Sequence, residues 1–374
     1  MPISQDQFRA IISGRRRDVA ATVVRSLLGV AGLGYRLAVH VRNALYDHHV
    51  LRTHRVNAVV LSIGNLTTGG TGKTPLVVWL CKQLTQNSEL RTLNSAPAIL
   101  TRGYKAKIQK SEVRSPKPEG AVQYSDEPSL LAKAGPGVEV VVNPDRVAGA
   151  GTAAAQGARV LVMDDGFQHR RLARDLDIVA IDATLPFGYG RPLPAGLLRE
   201  PLTALARAQA AVITRSDLAR PDQLDQIERT LLRFNPRLKI ARAIHAPTAV
   251  HIPNNRVMSP ADLAGKRVYA FCGIGNPDAF FQTLTKLGAN LVGTAAFDDH
   301  HACTEDDIQR MCQRAEAAKA DVILTTEKNW LSLEPALFDG RLPAGYLEVQ
   351  LEVTSGGDDL IRLIRATLEG RISR

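Results

Sequence analysis

A chain of 374 residues with 45% apolar and 22% charged side chains has the makeup of a soluble globular protein. Global disorder is excluded, and two domains are the natural expectation at this length. The formal net charge of +10 points to anionic partners, whether nucleic acid, lipid headgroups or phosphorylated substrates. With 5% aromatic residues and no basic stripe interleaved with aromatics, a surface for unpaired nucleic acid is not expected.

The first residues are polar and charged and do not read as a cleavable signal. Val19–Tyr35 (VAATVVRSLLGVAGLGY) is the most apolar stretch, with Arg15, Arg16 and Arg17 before it, Arg25 within it, and Arg36 and Arg42 after it. The run falls short of the roughly 20 uncharged residues of a spanning helix. It suits a helix lying in a bilayer interface with its arginines near anionic headgroups, and a core-packing helix is the alternative. Residues 1–55 are therefore expected to form a hydrophobic and basic membrane-associating segment.

From Ala58 to Ile244 short β-branched runs alternate with helical patterns. The expected strands are Ala58–Ile63, Ala98–Thr101, Val138–Val142, Arg159–Met163, Asp177–Ile181, Ala210–Thr214 and Leu238–Ile244. Several are continuously apolar, as strands buried on both faces are. Helices between them predict parallel crossovers and a doubly wound α/β sheet over 56–253. Arg102–Gln123 is a polar, proline-containing excursion. The pattern pauses at Asn254–Gly265 and resumes as a second, smaller α/β unit over 254–374. Its expected strands are Val268–Cys272, Asn290–Ala295, Asp321–Thr325 and Leu347–Val353, with helices Asp278–Leu287, Glu305–Ala318 and Asp358–Leu368. Two α/β lobes imply a cleft between them. The cysteines, Cys81, Cys272, Cys303 and Cys312, form no CxxC pair, so neither a zinc site nor a disulfide framework is expected.

Between the first strand and the helix that follows it, Thr67–Thr74 (TTGGTGKT) matches GxxxxGK[ST] everywhere except the first place, where Thr67 stands for glycine. In such a loop Gly69, Gly70 and Gly72 let backbone N–H groups turn inward around phosphate oxygens, with Thr68 and Thr71 completing the cradle. Lys73 reaches the β- and γ-phosphates, and the Thr74 hydroxyl ligates Mg²⁺. The expected ligand is a nucleoside triphosphate. A second acidic site is expected where the apolar strand Arg159–Met163 runs into Asp164 and Asp165; aspartates capping a turn are the alternative. A P-loop alone leaves kinase, switch and partitioning ATPase open. No NKxD base-reading segment is found, and Thr68 stands where partitioning ATPases carry an additional lysine.

Taken in order, GNLTTGGTGKTP (Gly64–Pro75), TRGY (Thr101–Tyr104), SDEP (Ser125–Pro128), MDDGFQHR (Met163–Arg170), PLPAGLLREP (Pro192–Pro201), DDHH (Asp298–His301) and LTTEKNW (Leu324–Trp330) resemble the tetraacyldisaccharide 4′-kinase family. The likeness covers nearly the whole chain, and MDDGFQHR and LREP are its most specific parts. It implies ATP- and Mg²⁺-dependent phosphorylation of the 4′-hydroxyl of a tetraacylated glucosamine disaccharide 1-phosphate, a lipid A precursor, in lipopolysaccharide biosynthesis. It also implies a peripheral or monotopic enzyme at the cytoplasmic face of a Gram-negative inner membrane, with no nucleic acid and no obligate protein partner. A partitioning or switch-type ATPase acting on a protein or membrane partner is the competing reading.

The resemblance places the catalytic aspartate on Asp126 and its partner histidine on His300, from different lobes. Such a pair is chemically sensible, because an imidazole can hold the carboxylate that takes the sugar proton. Glu127 is a further candidate for the metal. Gln168 and His169 are expected near the phosphates or the substrate. Arg146 and Arg199 are the candidate anion clamps, since guanidinium binds phosphate through paired donors, and surface ion pairs are the alternative. Arg102 and Tyr104 are placed to face the sugar or the lipid phosphate. Thr325, Thr326 and Lys328 end a strand where a ligand would sit, and Gly273-Ile274-Gly275 reads as a structural turn.

Overall fold

A computed structural model describes residues 5–90, 96–103, 130–253, 256–299, 301, 303–333, 338 and 342–372. Two helices lead the chain, α1 (Gln5–Ile12) and α2 (Val19–Asp47). Asp18 caps α2 by accepting from Ala21 N at 3.4 Å. At 29 residues α2 outruns the expected Val19–Tyr35, because the apolar spacing continues through Leu37, Val41 and Leu45. By length and composition it is long enough to cross a bilayer, contrary to the short run expected. One side of it is committed to the protein, however: Ala21, Gly32 and Val39 are buried.

The rest is one continuous sheet of twelve strands with helices on both faces. In chain order the elements are β1 (Val59–Asn65), α3 (Lys73–Gln86), β2 (Ala98–Thr101), β3 (Glu139–Val142), α4 (Arg146–Ala155), β4 (Val160–Asp164), β5 (Leu176–Asp182), β6 (Ala210–Thr214), α5 (Pro221–Phe234), β7 (Lys239–Ile252) and β8 (Arg256–Met258). Then come β9 (Arg267–Cys272), α6 (Pro277–Lys286), β10 (Asn290–Ala296), α7 (Glu305–Ala317), β11 (Val322–Thr326), α8 (Glu327–Trp330), β12 (Ala344–Ser355) and α9 (Gly357–Ile372). The strand order is β10-β9-β11-β12-β7-β6-β5-β1-β4-β2-β3, with β8 paired to β7. The central strands β1, β4, β5 and β6 are buried at every residue, which is why they read as unbroken apolar runs.

Two cores sandwich the first block. On one face Leu76, Val77, Leu80, Cys81 and Leu84 of α3 pack with Leu360, Ile364 and Leu368 of α9. On the other, Leu224, Ile227 and Leu231 of α5 cover Val179, Ile181, Ala211 and Ile213. Each fully buried leucine contributes about 1.5–3 kcal/mol. The last helix therefore returns to the first block, although it follows the second in sequence.

Two pairings depart from the parallel expectation, β7 with β12 and β7 with β8, both antiparallel. β7 was expected to end at Ile244, yet it runs on to Ile252 because it serves both blocks. Lys239–Arg242 pair with β6, and Arg242–His251 pair antiparallel with β12. β11 joins β12 through Ala344–Leu347, opposite the far end of β7. The reversal aims the strand ends of the second block at those of the first. The loops after β1, β4 and β6 thus face the loops after β9, β10 and β11. Ligands of open α/β sheets bind outside the carboxyl ends of strands, and here two such edges enclose one space.

Candidate active site

That space is a cavity of about 1370 Å³ lined from both blocks, by Gly69–Thr74, Arg102, Arg146, Asp164, Asp165, Arg199 and Arg215 on one side and by Ile274, Gly275, Asp299 and Thr326–Lys328 on the other. Among the expected site residues, Thr67, Thr68, Gln168 and His169 are not part of this lining. Asp126, Glu127, Tyr104 and His300 lie outside the described residues.

The loop after β1 is shaped by its own residues. Gly69 and Gly72 have φ of 109° and 80°, the left-handed region that favours glycine. Asn65, buried at the strand end, donates from Nδ2 to Thr67 O at 2.6 Å and to Thr71 Oγ1 at 2.9 Å, closing the loop from inside. Thr68 N donates to Leu197 O at 2.8 Å, which ties the loop to the 192–200 segment. Helix α3 opens at Lys73 with Gly72 as its cap and no side-chain hydrogen bond to its first turn. Its leading N–H groups and positive end are offered to an anion.

Opposite, β4 lies beside β1 with Asp164 level with Ile63. Asp164 is buried, and Asp165 follows with φ of 52°. Arg199 Nη1 donates to both carboxylate oxygens of Asp165 at 2.9 Å, Lys73 Nζ lies 3.5 Å from Oδ1, and Arg146 Nη1 donates to Asp165 O at 3.1 Å. Burial works against the charge of Asp165, yet Lys73, Arg199 and Arg146 outweigh it and hold the carboxyl down at about 2. Both candidate anion clamps and the P-loop lysine therefore converge on one acidic residue. A triphosphate entering the cradle would draw on the same three cations.

No grouping of three or more His, Cys, Asp or Glu side chains suited to a metal stands among the described residues. Magnesium in a phosphoryl-transfer site needs only one or two carboxylates, because phosphates and water complete its shell. Asp164, Asp165 and Thr74 fit that requirement by chemistry and by their place on the cavity wall.

Gln168 donates from Nε2 to Asn65 O at 2.8 Å, bracing the end of β1. His169 has a buried Nε2 without a hydrogen-bond partner. Burial, with Arg146, Arg171 and Arg174 nearby, lowers its pKa to about 4, so the ring is neutral at pH 7.

Several residues that shape the cavity were not singled out from the sequence. Arg215, at φ of 53°, directly follows β6; its Nη1 donates to Gly70 O at 2.8 Å and to Asp182 Oδ2 at 2.5 Å. Thr214 Oγ1 donates to Thr71 O at 2.9 Å. His245 sits under Gly72, and burial together with Arg215 keeps its imidazole neutral. Across the gap Gly275 rests directly on Gly69 and Gly70, so the turn expected to be merely structural is seated on the P-loop. Asn276 Nδ2 donates to Asp182 Oδ2 at 2.9 Å and to Thr184 Oγ1 at 2.8 Å. Arg215 carries a weak signal in sequence, being the first residue past a buried parallel strand; Gly275 was readable only as part of a turn, and the others carry none.

The 192–200 segment also fastens α2. Glu200 is fully buried and accepts from Arg42 Nη2 at 3.0 Å, Asn43 Nδ2 at 3.0 Å and Arg207 Nη2 at 2.8 Å. Tyr35 Oη donates to Arg199 O at 2.9 Å. On the far side of α2, Val19, Val23, Leu27, Val30, Leu33, Leu37 and Val41 form an exposed apolar stripe at three- and four-residue spacing.

The chain is similar to known proteins along most of its length. The family model for tetraacyldisaccharide-1-P 4′-kinase matches residues 24–369. A tetraacyldisaccharide 4′-kinase of Syntrophus aciditrophicus is 40% identical over 356 residues, covering 91% of this chain and 92% of the relative. Another, from Halothermothrix orenii, is 33% identical over 338 residues, covering 85% of each. A crystal structure of LpxK from Aquifex aeolicus in complex with ATP superposes with a TM-score of 0.65 at 28% identity, covering 92% of this chain and 99% of that one. With the P-loop, the paired aspartates and the LREP segment gathered on one cavity, the chain belongs to the tetraacyldisaccharide-1-P 4′-kinase family.

Proposed function

We infer that this protein transfers the γ-phosphoryl group of ATP to the 4′-hydroxyl of a tetraacylated glucosamine disaccharide 1-phosphate, the lipid A precursor. The observation that carries the reading is the uncapped start of α3 facing Lys73, Asp164 and Asp165, in a chain whose family match runs through nearly its whole length. The whole-length match to sugar-lipid kinases leaves the switch-type ATPase without a supporting feature.

In this reading the backbone of Thr67–Thr74 and Lys73 hold the β- and γ-phosphates. Asp164, Asp165 and Thr74 would hold Mg²⁺, which offsets the phosphate charge. Arg199 and Arg146 exchange Asp165 for phosphate oxygens, and Arg102 and Tyr104 face the sugar or its anomeric phosphate. Gln168 and His169 shape the wall behind the phosphates. Asp126, partnered by His300, takes the proton of the 4′-hydroxyl; the sugar oxygen bonds to the γ-phosphorus, that phosphorus parts from the β–γ bridging oxygen, and ADP leaves. Glu127 assists at the metal.

Residues 56–253 then act as the nucleotide-binding domain, and 254–374 as the smaller domain facing it, apart from α9, which packs back on the first. Residues 1–55 form the segment that meets the inner membrane. The exposed stripe of α2 supports a helix lying in the interface, because its other side is fixed to Glu200 and Arg199. A donor that is ATP favours the cytoplasmic face, and the lipid substrate needs neither nucleic acid nor a protein partner.

The test is direct. Purified protein with Mg-ATP and the acylated disaccharide 1-phosphate in detergent should yield lipid heavier by one phosphoryl group on the 4′ position. Lys73→Ala should abolish that product. ATP hydrolysis indifferent to the lipid, with no phosphorylated sugar, overturns the assignment.

A further inference from the structure

The LTTEKNW segment is the largest motif that the phosphate cradle does not use. Three consecutive side chains of it reach three different loops. Glu327 pairs with Lys133, seven residues past Asp126 in the chain. Lys328 Nζ lies 2.8 Å from Oδ1 of Asp299, the residue before His300. Asn329 accepts from Gly273 N at 3.0 Å through Oδ1 and donates to Gly273 O at 3.4 Å through Nδ2, gripping both backbone polar groups of the first residue of the turn that rests on the P-loop.

The local structure explains why these three residues can diverge. Thr326 ends β11, and its Oγ1 accepts from Asn329 N at 3.4 Å and donates to Asn329 Oδ1 at 2.8 Å. The resulting single turn, α8, fans its side chains outward in three directions. β11 lies beside β9, which brings α8 against the turn after β9. β9 lies beside β10, which brings the 298–301 loop within reach of Lys328. The same loop is held from its other end: His301 stacks on Phe297 at 4.9 Å and its Nε2 lies 3.0 Å from Asp307 Oδ2. Both described neighbours of His300 are thus tethered.

We propose that Glu327, Lys328 and Asn329 form a positioning hub that sets the segment after Asp126, the 298–301 loop and the turn on the P-loop in one register. The segment that follows Asp126, the residue before His300 and the turn on the P-loop are then held by one short helix rather than by three independent contacts. Glu327 and Lys328 also stand on the cavity wall, and the role assigned to all three is exerted through the loops they hold. The proposal rests on Asp126 and His300 being the proton-transfer pair, whereas the Asn329 arm rests only on the P-loop.

The hub predicts a division of kinetic effects, measured as initial rates with varied Mg-ATP and fixed glycolipid. Glu327→Gln and Lys328→Met should each lower kcat by about ten- to a hundredfold, since misplacing a reacting group by an ångström has that scale. Their KM for ATP should stay within about threefold of the unaltered protein. Asn329→Ala should raise KM for ATP with a smaller change in kcat. Lys328→Arg should restore turnover, and Lys133→Glu combined with Glu327→Lys should recover most of what Glu327→Lys alone loses.

Two controls separate the possible failures. If Glu327→Gln and Lys328→Met keep full kcat while Asp126→Asn and His300→Ala lose it, the hub is wrong and the catalytic pair stands. If Asp126→Asn and His300→Ala turn over normally, the reading of the pair fails first. Equal loss of kcat and Tm in every variant, Lys328→Arg included, would reduce the segment to ordinary scaffolding and overturn the proposal.

Discussion

The contact between Gly275 and the P-loop can be tested with a single methyl group. In Gly275→Ala the new Cβ would lie 2.1 Å from Gly70 N and 2.8 Å from Gly69 C and Cα. Ordinary contact begins at 3.4 Å, so backbone must move by about 1.3 Å to admit it. Neither side of the clash is a side chain, so no rotamer change relieves it. Lifting the turn is opposed by the bonds from Asn329 to Gly273 and from Asn276 to Asp182 and Thr184, so much of the shift falls on Gly69 and Gly70. A displacement near an ångström in a positioned site costs about a hundredfold in rate, and overpacking costs about 1–3 kcal/mol of stability. We expect kcat/KM for ATP to fall by about a hundredfold, mostly through KM, because the cradle acts already in the ground state. Steady-state rates, nucleotide binding by calorimetry and a thermal melt measure the three quantities. Gly151→Ala in α4, where an added Cβ meets nothing within 4 Å, is the control and should leave all three unchanged or slightly improved. Unaltered ATP kinetics and Tm in Gly275→Ala would refute the close seating of the two blocks.

Glu200→Leu leaves Arg42 and Arg207 without their buried carboxylate, and breaking such a pair costs about 3–5 kcal/mol. Thermal unfolding should show a Tm lower by several degrees, with α2 more open to proteolysis. Leu27→Glu with Leu33→Glu alters side chains that are 65% and 64% exposed, so the melt should not change. Binding to anionic vesicles should weaken at least about a hundredfold, as expected when two leucines worth about 1.5–3 kcal/mol each are withdrawn from lipid, and co-sedimentation reads it. His169 is held neutral in the fold down to about pH 4, whereas the unfolded chain takes up that proton below about 6.5. Stability should therefore fall as pH drops through that window, and His169→Gln should flatten the decline between melts at pH 7 and pH 5.

Much of the nucleotide side was determined by the sequence alone, because its constraints are local. Strand, glycine turn, Lys73 and helix occupy one short stretch, where buried runs, left-handed glycines and an uncapped helix start leave few other conformations. Asp164 and Asp165 were legible for the same reason, as the end of a continuously apolar strand. Tertiary structure decided which strand ends face each other, since that depends on β7 pairing with β6 at one end and with β12 at the other, across about a hundred residues of intervening chain. Nothing near Arg215, Gly275 or Asn329 in sequence announces that the first two meet the P-loop or that the third grips the turn. The role of α2 divides the same way. Its apolar spacing was readable, but which face is exposed followed only from Glu200, Arg199 and Ala195 covering the other. Short-range spacing dictates elements and turns, whereas a site assembled from opposed loops is the product of sheet order, a long-range property that no local window contains.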